Sequence, residues 1–303
     1  MAYRTIQRLI EGGVIERGCA DFCGNFQRHI KMYFPGSKDK KQGVFVKLSN
    51  DLSLLNELKA MESCRNIFCD YLVAPLLDWC EEGTCAIAYP LIEHDEFKAK
   101  DLVNPVFKNQ LVQLVTLFQK QGPNKGLKKN EFSPVNTLSF ANSSEKIQKA
   151  STYNNSCMAF LDANFDRISQ HGDFTKNNLA ITSTGRLLVF DWEDYGRVDI
   201  PFFDLATLIF SMSIDNGTTE AMSRNPAKLF DVSGSEEVIN IVEKFGLDRA
   251  SFVWLFPFFM MVFLDLKKSL GYGDQIVMQL TEFLENVFRS NGWISLIEGH
   301  QSQ

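Results

Sequence analysis

The stretch that most constrains this chain is His171-Gly172-Asp173-Phe174-Thr175-Lys176-Asn177-Asn178, followed by two short apolar runs and Asp191-Trp192-Glu193. Asn178 stands five residues after Asp173, and Asp191 thirteen after Asn178. Leu179-Ala180-Ile181 and Leu187-Leu188-Val189-Phe190 flank Ser183-Thr184-Gly185, the pattern of a tight hairpin. Such a hairpin brings Asn178 and Asp191 to the same end of two neighbouring strands. An amide and a carboxylate are oxygen ligands that suit a hard cation such as magnesium. A further carboxylate, Asp173, lies on the loop leading in. Residues of these types at these intervals suit phosphoryl transfer. One group receives a hydroxyl proton, and two hold a metal on a nucleotide.

Upstream, Tyr3 to Glu11 places Ile6, Leu9 and Ile10 on one helical face, and Gly12-Gly13 stops it. Phe26 to Phe34 reads as a strand, a charged turn follows over Pro35 to Lys41, and Val44-Phe45-Val46-Lys47-Leu48 reads as another strand. Asp51 suits an N-cap, after which Leu54, Leu55, Leu58 and Met61 form the apolar stripe of a helix that also contains Glu57. Gly18 to Asn25 reads as a turn whose backbone N–H groups could cradle phosphates. Leu72 to Trp79 and Cys85 to Ile92 read as a strand hairpin.

His-x-Asp-x-x-x-x-Asn, Asp-Trp-Glu across a hairpin, and Val46-Lys47 with a helical Glu57 upstream together resemble the aminoglycoside phosphotransferase and choline kinase group, relatives of protein kinases. The resemblance runs over roughly residues 12 to 215. It implies an α+β, bilobal, protein-kinase-like fold. Residues 1–92 would form a small antiparallel sheet lobe with one key helix, and residues 93–303 a larger, mainly helical lobe.

The resemblance also assigns roles. Asp173 becomes the catalytic base, and Asn178 and Asp191 the magnesium ligands. Lys47 contacts the α- and β-phosphates of ATP, and Glu57 holds Lys47 in place. Gly18 and Gly24 belong to the phosphate loop, although no Gly-x-Gly-x-x-Gly occurs. Tyr89 and Leu91 lie in the hinge, Tyr89 to Glu93, offering backbone groups to adenine. Lys176 reaches the γ-phosphate or faces water. Glu193 contacts metal or acceptor, or braces its loop, while His171 and Asp204 are structural.

Two departures from protein kinases narrow the class. Gly172 replaces the arginine that answers activation-loop phosphorylation, and the span from Asp191 to Asp204 is too short for an activation segment. A small-molecule hydroxyl acceptor is therefore expected: a sugar or sugar derivative, an aminoglycoside, or an amino alcohol such as choline.

The remaining chain is read as helical. The spans are Asn104 to Lys120, Glu145 to Ser169, Leu205 to Ile214, Ser235 to Phe245, Ala250 to Leu270 and Asp274 to Ser290, with a polar loop over Gln121 to Ser139. In the longer middle helix Met158, Leu161, Phe165 and Ile168 line one face. The C-terminal helices would build the acceptor pocket. Asp194, Asp199 and Asp215 either lend that pocket negative charge or are solvated. The run Phe252, Trp254, Phe256, Phe258 and Phe259 reads as core rather than as a cage for an ammonium.

Composition sets outer bounds. A net charge of −6 argues against a nucleic-acid surface. Met1 to Ile10 lacks the apolar core of a secretory signal. Phe252 to Leu264 is short of the roughly 20 residues that span a bilayer and runs into Asp265, Lys267 and Lys268, so it reads as a buried helix without integral membrane association. The seven cysteines include no Cys-x-x-Cys and read as buried free thiols of a cytoplasmic protein. Oligomeric state is not legible. Two rival readings remain: a pseudokinase that binds nucleotide and serves as an interaction module, and a metallohydrolase built on His171, Asp173 and Asp191. The second lacks histidines, of which the chain has four.

Overall fold

A computed structural model describes residues 2–11, 14–15, 22–26, 29–34, 43–49, 53–81, 84–123, 144–271 and 274–300. The chain divides into two compact units, Met1–Glu96 with Asn178–Tyr195, and Phe97–Asn177 with Gly196–Gln303.

The first unit is built on an antiparallel sheet of β1 (Phe22–Phe26), β2 (His29–Phe34), β3 (Val44–Ser49), β4 (Leu77–Glu81) and β5 (Thr84–Pro90), in the order β1-β2-β3-β5-β4. The strand expected over 26–34 is thus parted: Phe26 and His29 face each other across the β1–β2 pair. β3 is central and buried on both faces. Side chains alternate along a strand, so Val44, Val46 and Leu48 share one face. Val44 and Val46 join Leu9, Ile15, Met32, Phe34 and Ala88 in a core closed by the first helix, α1 (Ala2–Glu11). Lys47 points to the other face.

Helix α2 (Ser53–Cys64) buries Leu54, Glu57, Ala60, Met61 and Cys64, a stripe at helical spacing. The sequence stripe placed Leu55 and Leu58 there; both are half-buried, and Glu57 takes the inner position. A second sheet joins β6 (His94–Glu96), β7 (Leu179–Thr182) and β8 (Leu187–Val189) in that order.

Two cysteines depart from the free-thiol reading. Cys80 and Cys85 are directly opposite in the β4–β5 register, with Cα atoms 4.1 Å apart, and form a disulfide. Facing positions of an antiparallel pair come within bonding range through the fold, which no spacing rule for free thiols anticipates. Among the described residues Cys64 and Cys157 are buried and free, while Cys69 is exposed.

The second unit is helical: α3 (Pro105–Gln121), α4 (Ser144–Asn164), α5 (Phe203–Asp215), α6 (Thr219–Arg224), α7 (Ser235–Lys244), α8 (Arg249–Ser269), α9 (Asp274–Val287) and α10 (Asn291–His300). α4 stops before the expected Ser169. Ile168 N donates to Asp199 O and Gln170 N to Val198 O, so residues 168–170 are drawn into extended pairing. It buries Ala150, Tyr153, Asn154, Cys157 and Leu161; of the expected face, Leu161 and Ile168 are buried, while Met158 and Phe165 are half-buried.

α8 is long and apolar enough to cross a membrane by composition, but 89% of its apolar window is buried within the protein. Its interior Pro257 removes one backbone donor. One residue on, Tyr153 replaces the helical bond. Phe258 N donates to Tyr153 Oη at 3.3 Å, and that hydroxyl donates to Trp254 O. An inserted side chain of this kind keeps Trp254 O and Phe258 N bonded beside the proline.

Candidate active site

The first unit gathers a buried ionic cluster at β3. Lys47 Nζ lies 3.0 Å from both Glu57 carboxylate oxygens and 2.6 Å from Asp191 Oδ1. Tyr89 Oη donates to Glu57 Oε1 at 2.7 Å and lies 3.1 Å from Met61 Sδ. β3 supplies the lysine, α2 the glutamate, β5 the tyrosine and the end of β8 the aspartate. The register explains the meeting. Lys47 pairs with Ile87 on β5, two residues before Tyr89 and on the same face.

Asp191 occupies the left-handed region, with φ 62° and ψ 59°. Only two described residues other than glycine have positive φ, Asp191 and Phe202. Aspartate tolerates this conformation better than most residues, yet it still marks a backbone held by its surroundings. The turn that follows buries Trp192, whose Nε1 donates to Val189 O at 3.0 Å and whose ring meets Phe68 at 5.2 Å. The Asp-Trp-Glu turn is thereby fastened to β8 and to the segment after α2.

Charge in this cluster does not balance. Glu57, Asp191 and Glu193 each present a carboxylate oxygen, all within 4.8 Å of one another, around one ammonium. Burial opposes the charged form of Lys47, but the Asp191, Glu57 and Glu193 carboxylates outweigh it and raise its pKa, so it stays an ammonium. Burial, with repulsion from Asp191 and Glu193, pushes Glu57 up although Lys47 pulls it down. Burial and the Glu57 carboxylate also raise the Tyr89 phenol, which remains a hydrogen-bond donor. An excess of buried carboxylate oxygens fits a hard divalent cation. Asp191 and Glu193 are the residues of this set that could hold one, with Glu57 already bonded to Lys47 and Tyr89.

Asn178 adjoins this group through the second sheet. Its carbonyl accepts from Phe190 N at 2.8 Å, and Leu179 faces Val189, so Asn178 and Asp191 flank the same end of the β7–β8 ladder. The hinge residues have part of their backbone committed. Leu91 N donates to Gly43 O at 2.7 Å, and Ile92 O lies 2.6 Å from His94 Nδ1. The role structurally visible for Tyr89 is its hydroxyl on Glu57. Gly18 lies outside the described residues. Gly24 lies in β1, opposite Lys31, so Phe22 to Asn25 form strand where the sequence suggested a turn. A glycine within a strand still permits close backbone approach by a ligand.

The second unit holds Asp173 and Lys176. Asp204 ties their loop down: its carboxylate accepts from His171 N at 2.6 Å and Gly172 N at 3.0 Å, and its own N–H donates to Gln170 Oε1 at 3.2 Å. Burial pushes the Asp204 carboxyl up to about 7, against these two amides, with the Asp173 charge adding to the rise. Thr207 Oγ1 bonds Phe174 O, and Lys176 N donates to Ser211 Oγ, so α5 fastens the loop at further points. Lys176 Nζ is ion-paired with Asp215 rather than simply solvated. Asp173 keeps 17% of its side chain exposed, and its Oδ1 lies 2.9 Å from the Nζ of Lys267, a buried residue of α8. Sequence reasoning treated Lys267 only as a charge ending an apolar run. Tyr89's hydroxyl role was equally missed, and its only signal was β5 pairing beside Lys47.

Residues 137–230 match the model of the phosphotransferase enzyme family, APH. No curated protein sequence matches the chain. Solved structures do. Choline kinase LicA from Streptococcus pneumoniae is 16% identical with a TM-score of 0.57, over 94% of this chain and 98% of that one. A thermostable mutant of aminoglycoside phosphotransferase APH(4)-Ia, apo form, is 11% identical with a TM-score of 0.57, over 98% and 99%. Spectinomycin phosphotransferase APH(9)-Ia, in complex with ADP and spectinomycin, is 12% identical with a TM-score of 0.53, over 98% of each chain. At these identities the likeness is one of fold. It agrees with the bilobal α+β fold and the family resemblance drawn from the sequence.

Proposed function

We propose that this protein is an ATP- and magnesium-dependent phosphotransferase that moves the γ-phosphate to a hydroxyl of a small molecule. The observation that carries this reading is the buried contact of Lys47 with both Glu57 and Asp191. These residues lie on three separate elements, and they are the ones the family resemblance marked for nucleotide phosphates and metal. The match of residues 137–230 to the phosphotransferase family supports it, because that span contains Asp173, Asn178 and Asp191. ADP in the spectinomycin phosphotransferase supports a nucleotide donor.

In this reading the ammonium of Lys47, fixed by Glu57, neutralises and orients donor phosphates. Asp191, with Asn178 or Glu193, would hold magnesium, which when bound supplies charge neutralisation on the phosphates. Asp173 receives the acceptor hydroxyl's proton as the new O–P bond forms and the bond to ADP breaks; the proton then passes to water. A loose transition state asks for positioning more than for a strong base, and an aspartate suffices. The tethering of the 171–176 loop by Asp204, Thr207 and Ser211 provides that positioning. Use of ATP points to the cytoplasm.

The test measures magnesium-dependent ATP binding by thermal shift, then phosphate transfer to sugars, aminoglycosides and amino alcohols, for wild type and Asp173→Asn. Binding is expected to survive the substitution while transfer falls about a thousandfold. ATP binding by wild type with no acceptor phosphorylated would favour a pseudokinase instead.

A further inference from the structure

Lys267 is the residue of the second unit whose placement the proposed reaction leaves unexplained. It sits in the last turn of α8 and is 2% exposed. A lysine is almost never buried to this degree unless paired, and the chain places another lysine, Lys268, in a half-buried position next to it. The ammonium of Lys267 is directed to Asp173 Oδ1 at 2.9 Å and lies 5.2 Å from the Phe263 ring centroid. The aromatic face favours the cation as well. The helix that carries it is anchored by the Tyr153 hydroxyl at its proline, so Lys267 arrives on a rigid element.

We propose that Lys267 is a positioning residue for Asp173, and that its charge sets the acceptor class: a neutral or anionic hydroxyl compound, such as a sugar or sugar acid, rather than one with an ammonium beside the reacting hydroxyl. The inference rests on the reading of Asp173 as the proton acceptor. The reacting hydroxyl must come within roughly 3 Å of the Asp173 carboxylate. A substituent on the adjoining carbon then lies within several ångströms of the Lys267 ammonium, where like charges repel and opposite charges attract. The other cation of this loop, Lys176, is paired with Asp215. Asp204 is turned to the amides of His171 and Gly172. Held by the ammonium, the carboxylate also has fewer rotamers to sample before it meets the hydroxyl.

The experiment compares wild type, Lys267→Met, Lys267→Arg, Asp173→Asn and the Lys267→Met/Asp173→Asn double variant. Acceptors are offered as a matched set: a hexose, its sugar acid and its amino sugar. Wild type is expected to use the hexose or acid at least tenfold better in kcat/KM than the amino sugar. Lys267→Met is expected to lower kcat with the hexose at least tenfold at unchanged KM for ATP, and to shift the preference toward the amino sugar about tenfold. Lys267→Arg should recover part of kcat. Unchanged kcat and preference in Lys267→Met, or a wild-type preference for the amino sugar, would overturn the proposal. Thermal unfolding of the four variants reads the pair without any activity. The double variant should be less destabilised than the sum of the singles, and additive shifts would overturn the pairing. Absence of transfer to every acceptor by wild type would instead bring down the phosphotransferase reading, and the unfolding cycle would still judge the pair.

Discussion

Each unit buries a lysine against an aspartate, and the two arrangements differ in what surrounds the pair. Lys47 meets Asp191 together with Glu57 and Glu193, three carboxylates on one ammonium. Lys267 meets Asp173 beside an aromatic ring. The first cluster is short of positive charge and is suited to receive a cation. The second sets a buried ammonium against one carboxylate and is suited to hold it still. In the proposed reading the same two residue types serve a binding role or a positioning role according to what else shares their buried space.

The comparison breaks most visibly if the single cation of the first cluster is removed. Lys47→Met leaves Glu57, Asp191 and Glu193 in mutual repulsion, and a loss of about 3–5 kcal/mol is expected from breaking a buried pair. Urea unfolding with and without magnesium checks it. Added magnesium should recover part of the loss, whereas a deficit indifferent to divalent cations would contradict the surplus-charge account.

In the second unit burial instead pushes a carboxyl up, against the amides of His171 and Gly172 that it accepts from. That carboxyl, Asp204, is raised from the ordinary carboxylate range to about 7. A carboxyl raised on folding contributes stability that is fully present below its unfolded value and lost as pH rises through the folded one. Stability should therefore fall between pH 4 and 7, by up to about 4 kcal/mol. Asp204→Asn should flatten that slope in unfolding curves taken across this range, and an unaltered slope would assign it to other groups.

Rigidity of the helix carrying Lys267 gives a smaller effect. Tyr153→Phe removes the hydroxyl that bridges Trp254 O and Phe258 N, and about 1–3 kcal/mol should be lost. Amide exchange at Phe258 should rise; protection equal to wild type would show that the helix does not need the bridge. The least effect is expected at Tyr89→Phe, which removes one bond to Glu57 and costs about 1 kcal/mol in thermal unfolding. A larger loss would mean that the first cluster depends on the phenol as much as on Lys47.

The strip from His171 to Glu193 was legible because its structure is local. A short hairpin fixes where Asn178 and Asp191 emerge, and loop, turn and apolar runs are all written within a few dozen residues. Helices were legible wherever periodicity was strong, as in α7 and α8. The end of α4 was not, since Ile168 and Gln170 are captured by the chain near Asp199. Missing too were α6, which has six residues, and α10, which carries Gly292 and Gly299 within its ten. The disulfide was hidden because two cysteines five apart say nothing of facing each other until a hairpin register is set.

By itself, then, the sequence marked the residues of the proposed chemistry: the carboxylates, the amide and the strand lysine of the strip expected to transfer a phosphoryl group. Tertiary structure alone decided which charges share a buried space. Glu57 lies on the inner face of α2 because Lys47 and Tyr89 meet it there, and Lys267 is turned inward because Asp173 lies across from it. A lysine in an apolar helix reads the same in sequence whether it is solvated or buried. Only the partner brought within hydrogen-bond distance by the fold offsets the cost of desolvating it, and so distinguishes a surface charge from a residue that holds the site.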